Sequence, residues 1–127
     1  MTPSMPERVK QMFVDAGLTA GFLVQSLAWN DTGKQTDSFM VFRSNGGTAI
    51  RNGLGSDYYI LVDIIGANGK NGPTDLAVQN IISYVQSNPI PNDCIGHIEN
   101  MGGIPSPVQT EEGRLVYRLQ FAVIYGE

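Results

Sequence analysis

Three groups of residues in this chain have the side chains or spacing that chemistry could use. The first is the run Gly66-Ala67-Asn68-Gly69-Lys70-Asn71-Gly72, between a strand-like and a helical segment, where backbone N–H groups and a helix dipole would favour an anion. A P-loop places four residues between its glycines and follows them with Lys-Ser/Thr. Here Gly66 and Gly69 enclose two residues, and Lys70 precedes Asn71, so the run reads as an ordinary loop. The second group is Cys94 with His97. A nearby imidazolium would lower the thiol pKa and make it nucleophilic, but on a strand these positions point to opposite faces, and the sequence places no third group beside them. One His and one Cys also fall short of the three or four protein ligands of a zinc site. The third group is Asp57, Asp63 and Asp75, acids of the kind that bind magnesium. Nothing in their spacing makes them converge, and Asp75 is expected in the first turn of a helix, where a negative charge stabilises the exposed N–H groups. The sequence therefore predicts no catalytic residue, no metal ligand and no cofactor.

Trp29, Tyr58, Tyr59, Tyr84, Tyr117 and Tyr125 have flat faces suited to stacking on bases or sugars. However, the eight Lys and Arg are scattered singly and the net charge is −4, which leaves no basic stripe for phosphate. We therefore assign these aromatics to the core and to subunit interfaces and expect no direct nucleic-acid binding. Only 16% of residues are charged, against roughly 25% in average soluble domains, so much of the surface must be uncharged, which suits contact with other protein. At 127 residues, 1–127 is expected to form one domain that buries roughly two-thirds of the surface its open chain exposes. Cys94 is the one cysteine, which excludes an intramolecular disulfide and fits a reducing compartment. Glu7, Arg8 and Lys10 interrupt any signal-like apolar stretch, and no apolar run reaches the roughly 18 residues of a membrane span. The reading is a soluble cytoplasmic protein.

The elements that must hold these residues follow from periodicity. Met5, Val9, Met12, Phe13 and Ala16 lie on one helical face, with Ser4 and Glu7 spaced as a capping box, Pro6 in the first turn and Gly17 as a stop. Phe22, Val24 and Leu27 suggest a strand over 22–29, closed by Asn30-Asp31-Thr32-Gly33. A second strand, 39–42, ends at Asn45-Gly46-Gly47, and a hairpin is the simplest way to pair the two. Residues 48–57 read as a loop. The run 58–65 is apolar on both faces except at Asp63, which predicts a central strand. Pro73 suits a first helical position, and Val78, Ile81, Ile82 and Val85 carry the apolar stripe of a helix that Asn88-Pro89 should end near Ser87. Ile95, His97 and Glu99 alternate with Gly96, Ile98 and Asn100 in an edge strand, followed by a linker over 102–107. Glu111-Glu112-Gly113-Arg114 makes a turn into a long strand over 115–125, with Leu115, Tyr117, Leu119, Phe121 and Val123 on one face. The order α-β-β-β-α-β-β predicts an α+β fold: a mixed, mainly antiparallel sheet with two helices packed on it.

Four segments carry a resemblance: Phe39-Met40-Val41-Phe42-Arg43-Ser44-Asn45-Gly46-Gly47-Thr48-Ala49-Ile50; Asp57-Tyr58-Tyr59-Ile60-Leu61-Val62-Asp63; Asn100-Met101-Gly102-Gly103-Ile104-Pro105; and the ending from Glu112-Gly113-Arg114 to Tyr125-Gly126-Glu127. Together they resemble the tail-terminator proteins of long-tailed bacteriophages and prophages. The resemblance implies a small non-enzymatic α+β protein of the virion tail, assembled in the host cytoplasm. It further implies a homo-hexameric ring that caps the tail tube, stops its polymerisation and offers a surface for head joining. The implied partners are further copies of the chain, the tail tube protein and the head connector or neck proteins, without nucleic acid or membrane. Within that picture we expect subunit or tail contacts at the loop of Arg51 and Leu54, the loop of Lys70 and the hairpin near Arg114. The alternatives are another neck or tail-completion protein, a small-molecule-binding regulatory domain that uses the glycine loop, and a minor enzyme that uses Cys94 and His97.

Overall fold

A computed structural model describes residues 4–26, 37–47, 58–91, 95–101, 103, 106–110 and 113–125. The elements are α1 (Met5–Asp15), β1 (Leu23–Ser26), β2 (Phe39–Gly47), β3 (Tyr58–Ile65), α2 (Asn71–Ser87), β4 (Ile95–Met101), β5 (Val108–Gln109) and β6 (Leu115–Tyr125). The strands form one sheet in the order β1-β2-β3-β6-β4, with β5 also paired to β6. Every pairing is antiparallel except β1 with β2. Val116 pairs with Ile65 on one side and with Val108 on the other, so β5 lies on the same flank of β6 as β4. The fold class is α+β, in the order the periodicity implies, with the two-residue β5 added.

The period-two pattern decides which face each strand residue takes. Met40 and Phe42 of β2, Ile60, Val62 and Ile64 of β3, and Tyr117, Leu119, Phe121 and Val123 of β6 form one cluster with Met5, Val9, Met12 and Phe13 of α1 and Val78, Ile81, Ile82 and Val85 of α2. Both helices thus cover the same face of the sheet. Phe13 stands at its centre, edge-on to Phe42 at 5.1 Å and to Phe121 at 5.9 Å between ring centroids. Each such pair contributes about 0.5–1.5 kcal/mol beyond the burial of its area. After α1, the Leu18 N–H donates to the Phe13 carbonyl and the Gly17 N–H to the Val14 carbonyl. Gly17 has φ +75°, so the helix ends in a Schellman motif that a residue without Cβ adopts cheaply.

β3 is central in the sheet and β4 is an edge strand, as the sequence suggests. Four local expectations change. β1 and β2 are parallel, not a hairpin: Leu23 pairs with Phe39 and Ser26 with Phe42. Residues 27–38 separate them, which is about the dozen that a parallel crossover requires. In β4 the register slips between Ile95 and His97, with two steps on β4 facing one on β6. This bulge at Gly96 puts Ile95 and Ile98 together in the core, against the simple alternation. Ser4 is the N-cap of α1 but makes no side-chain cap. Glu7 instead takes the Lys10 ammonium at 2.9 Å and the Ser26 hydroxyl at 3.1 Å, which ties α1 to β1. Finally, α2 starts at Asn71, so Pro73 is its third residue and Asp75 lies beyond the first turn. Asp75 accepts hydrogen bonds from the Tyr117 hydroxyl at 2.7 Å and the Gln79 amide at 2.6 Å, and so braces α2 against β6. The hairpin connection expected at 30–37 falls mostly outside the described residues, and the loop at 48–57 falls wholly outside them.

Candidate assembly surface

The loop from β3 to α2 is held tightly against its own subunit. Gly66 N–H donates to the Leu115 carbonyl, Ala67 N–H to the Ser38 hydroxyl at 2.9 Å, and Lys70 N–H back to the Ala67 carbonyl. A Cβ on Gly66 would collide with the side chain of Thr74, so glycine here permits close approach of strand and helix. The Thr74 hydroxyl and N–H both donate to the Lys70 carbonyl, which fixes Lys70 as the N-cap of α2.

Lys70 is a poor residue for that place. Its side chain supplies no cap, and a cation at the positive end of a helix dipole typically loses about 0.3–1 kcal/mol. It is exposed and makes no ion pair among the described residues. Such local misfits tend to mark functional positions.

Beside Lys70 is a cleft of about 440 Å³ between residues 17–22, which follow α1, and the first turns of α2. Leu18, Phe22, Leu76 and Ala77 supply its apolar wall. Leu76 is 58% exposed. It lies off the stripe Val78, Ile81, Ile82 and Val85, which is the signal that would have singled it out from the sequence. The Ser38 and Thr74 hydroxyls at the cleft are already engaged by Ala67 and Lys70.

Arg114 is placed differently from the expected surface contact. It is 1% exposed, with Nη1 donating to the Asp37 carbonyl at 3.0 Å and the guanidinium 5.7 Å from the Phe39 ring centre. Its charge therefore pins the start of β6 to the segment entering β2, within the subunit. The hairpin around it is closed by Thr110 N–H to the Arg114 carbonyl and Gly113 N–H to the Thr110 carbonyl. Arg51 and Leu54 lie outside the described residues.

The other sequence candidates do not come together. Asp63 lies on the face of the sheet away from the helices, where Arg43 Nη2 reaches it at 2.9 Å and Arg118 Nε at 3.0 Å. Asp75 is on the helix side, and Asp57 is outside the described residues. Sequence reasoning missed this Arg43-Asp63-Arg118 row, because its members meet only through the β2-β3-β6 register. His97 is half-buried on β4, and Cys94 is outside the described residues. Among the described residues, no three His, Cys, Asp or Glu side chains are grouped to hold a metal ion. No helix among them is long and apolar enough to cross a membrane.

Residues 2–127 match the family model described as phage tail termination protein. The chain belongs to that family. No curated protein matches it. A tail termination protein is a component of the virion tail. Among the described residues, exposed features open to such contacts include the Lys70 cleft, with Leu76 on its wall, and Val108 of β5.

Proposed function

We propose that this tail termination protein works as a ring of six copies on the end of the tail tube, where it stops tube growth and offers a surface for joining the head. The observation that carries this reading is the family match over residues 2–127. The sheet supports it physically. Its two flanks differ, with β1 at one side and β4 and β5 at the other, and a head-to-tail interface needs two unlike surfaces that close on rotation. The contacts fall at the loop of Lys70, the hairpin that Arg114 braces, and the segment holding Arg51 and Leu54. The partners are further copies of this chain, the tail tube protein and the head connector or neck proteins, met in the host cytoplasm, with no role for nucleic acid, membrane, cofactor or catalysis.

Native mass spectrometry over a concentration series, alone and with purified tail tubes, tests the proposal. A sixfold mass, or a six-subunit cap on the tube, is the expected result, and a chain that stays monomeric in both settings overturns it. The cleft volume lies within the range of small-molecule sites, which favours a regulatory ligand-binding domain as the second reading. With the Ser38 and Thr74 hydroxyls already engaged, such a ligand would have chiefly Lys70 and Asn80 for polar recognition. Thermal stabilisation by a small molecule, lost in Lys70→Ala, would favour that reading.

A further inference from the structure

Resting on the ring reading, we propose that neighbouring copies join edge to edge, with Val108 on β5 of one copy packed against Leu23 on β1 of the next. The strand registers place Leu23, Phe39, Ile65, Val116 and Val108 in a single row across the sheet, from β1 through β2, β3 and β6 to β5. Directly paired residues share a face, and the Phe39 and Ile65 cluster marks this one as the face away from the helices. The row is apolar throughout. Its middle is buried, whereas its two ends, Leu23 and Val108, stay 44% and 66% exposed.

A second copy is the occupant that fits these ends. They lie on opposite flanks but at one height on the sheet, so a copy set beside the first continues the row and covers both ends by one repeated contact. Such a contact joins two unlike surfaces, as a closed head-to-tail ring requires. The other edge strand is closed from within, because the Ile98 N–H on β4 donates at 2.8 Å to the Pro89 carbonyl. Among the described residues, neither β1 nor β5 has a backbone clasp of this kind on its outer side. The residues beside the two ends, Phe22, Val24, Pro107 and Gln109, also carry no charge to keep another edge away. Although β5 has only two residues, it is held in place for such a contact. Thr110 N–H donates to the Arg114 carbonyl, Arg114 N–H donates to the Thr110 hydroxyl at 3.1 Å, and the Arg114 side chain is pinned to Asp37 and Phe39.

Cysteine pairing tests this in a Cys94→Ser background. With a short thiol cross-linker, Leu23→Cys and Val108→Cys chains mixed together should give linked dimers, each variant alone should give none, and a chain with both substitutions should give a ladder that ends at six. Leu23→Lys or Val108→Lys should weaken assembly by about tenfold or more, since each buries a charge without a partner, and Leu23→Lys with Val108→Glu should recover it. Assembly is read by native mass spectrometry, alone and on purified tail tubes, with circular dichroism showing each variant folded. Rings that do not cross-link at these positions, or that form equally well with either lysine, would overturn the seam and leave the ring intact. So would lysine variants that form rings but no longer seat on tubes, which would assign the two ends to the tube protein. A wild-type chain that never assembles would overturn both.

Discussion

The two faces of the sheet solve the same burial problem differently. On the helix side, apolar side chains from four strands meet α1 and α2, and Phe13 touches Phe42 and Phe121 across the interface. On the other side, where no described helix lies, a small cluster of Phe39, Val41 and Ile65 gives way along the strands to the Arg43-Asp63-Arg118 row. The first face depends on close packing of buried side chains. The second holds three strands in register by ion pairs, one partner of which, Arg118, stays 61% exposed. In the proposed ring such a division would let one face supply stability while the other stays open to partners.

The largest test of that contrast is Phe13→Ala. It leaves a cavity beside Phe42 and Phe121, and the cost expected for such a truncation is about 3–5 kcal/mol, read from chemical denaturation. A loss below 1 kcal/mol would mean that the helix face is not the dominant core. Next comes Tyr117, buried on the same face. Burial first, and then the hydrogen bond to Asp75, push its hydroxyl ionisation up from 10.0 to about 12. A folded-state value above the unfolded one contributes stability that is complete below pH 10 and is lost as pH rises from there to about 12, at most about 3 kcal/mol. Unfolding midpoints measured from pH 8 to 12 should fall over that window in the wild type, and that Tyr117-linked part of the fall should vanish in Tyr117→Phe.

Much of this face was legible in the sequence because its signals are local. The stripe of α2, the alternation of 115–125 and the doubly apolar run 58–65 each state a burial pattern that tertiary structure then keeps. What escaped depends on pairing across distance. Parallel β1 and β2 differ from a hairpin only in the path of the connection, which the residues of the two strands do not encode. The bulge at Gly96 adds one residue to β4 and so brings Ile95 and Ile98 onto one face, which alternation alone assigns to opposite faces. For the candidate site, Lys70 could be read as a loop residue, but its cleft is made by residues 17–22 arriving from elsewhere in the chain. Arg114 read as a surface charge because nothing in its neighbourhood in sequence announces Asp37 and Phe39.

On the open face the effects should be smaller. Asp63→Ala removes the shared acceptor, leaving Arg43 two-thirds buried beside Arg118 with no counter-charge between them. A cost of about 1–3 kcal/mol is expected, since losing one partner strands the other's desolvated charge. Arg43 also has its Nε buried without a hydrogen-bond partner, so relaxation toward water can recover part of that loss.

Arg118→Ala sets the lower bound of the comparison. Its ion pair with Asp63 is as short as that of Arg43, 3.0 Å against 2.9 Å, yet its side chain is twice as exposed, 61% against 32%. Distance alone would predict equal effects. Water decides otherwise: an exposed pair gains little Coulomb energy, orders a long side chain and is screened by salt, so a loss below about 1 kcal/mol is expected. Asp63 keeps Arg43 after the change, so no charge is stranded. Denaturation at low and at high salt distinguishes the cases, because the small Arg118 contribution should shrink with salt while the Asp63→Ala loss persists. Equal losses for Arg118→Ala and Asp63→Ala would mean that the open face is shielded in the folded protein as well as the helix face is, and the division between the two faces would fail.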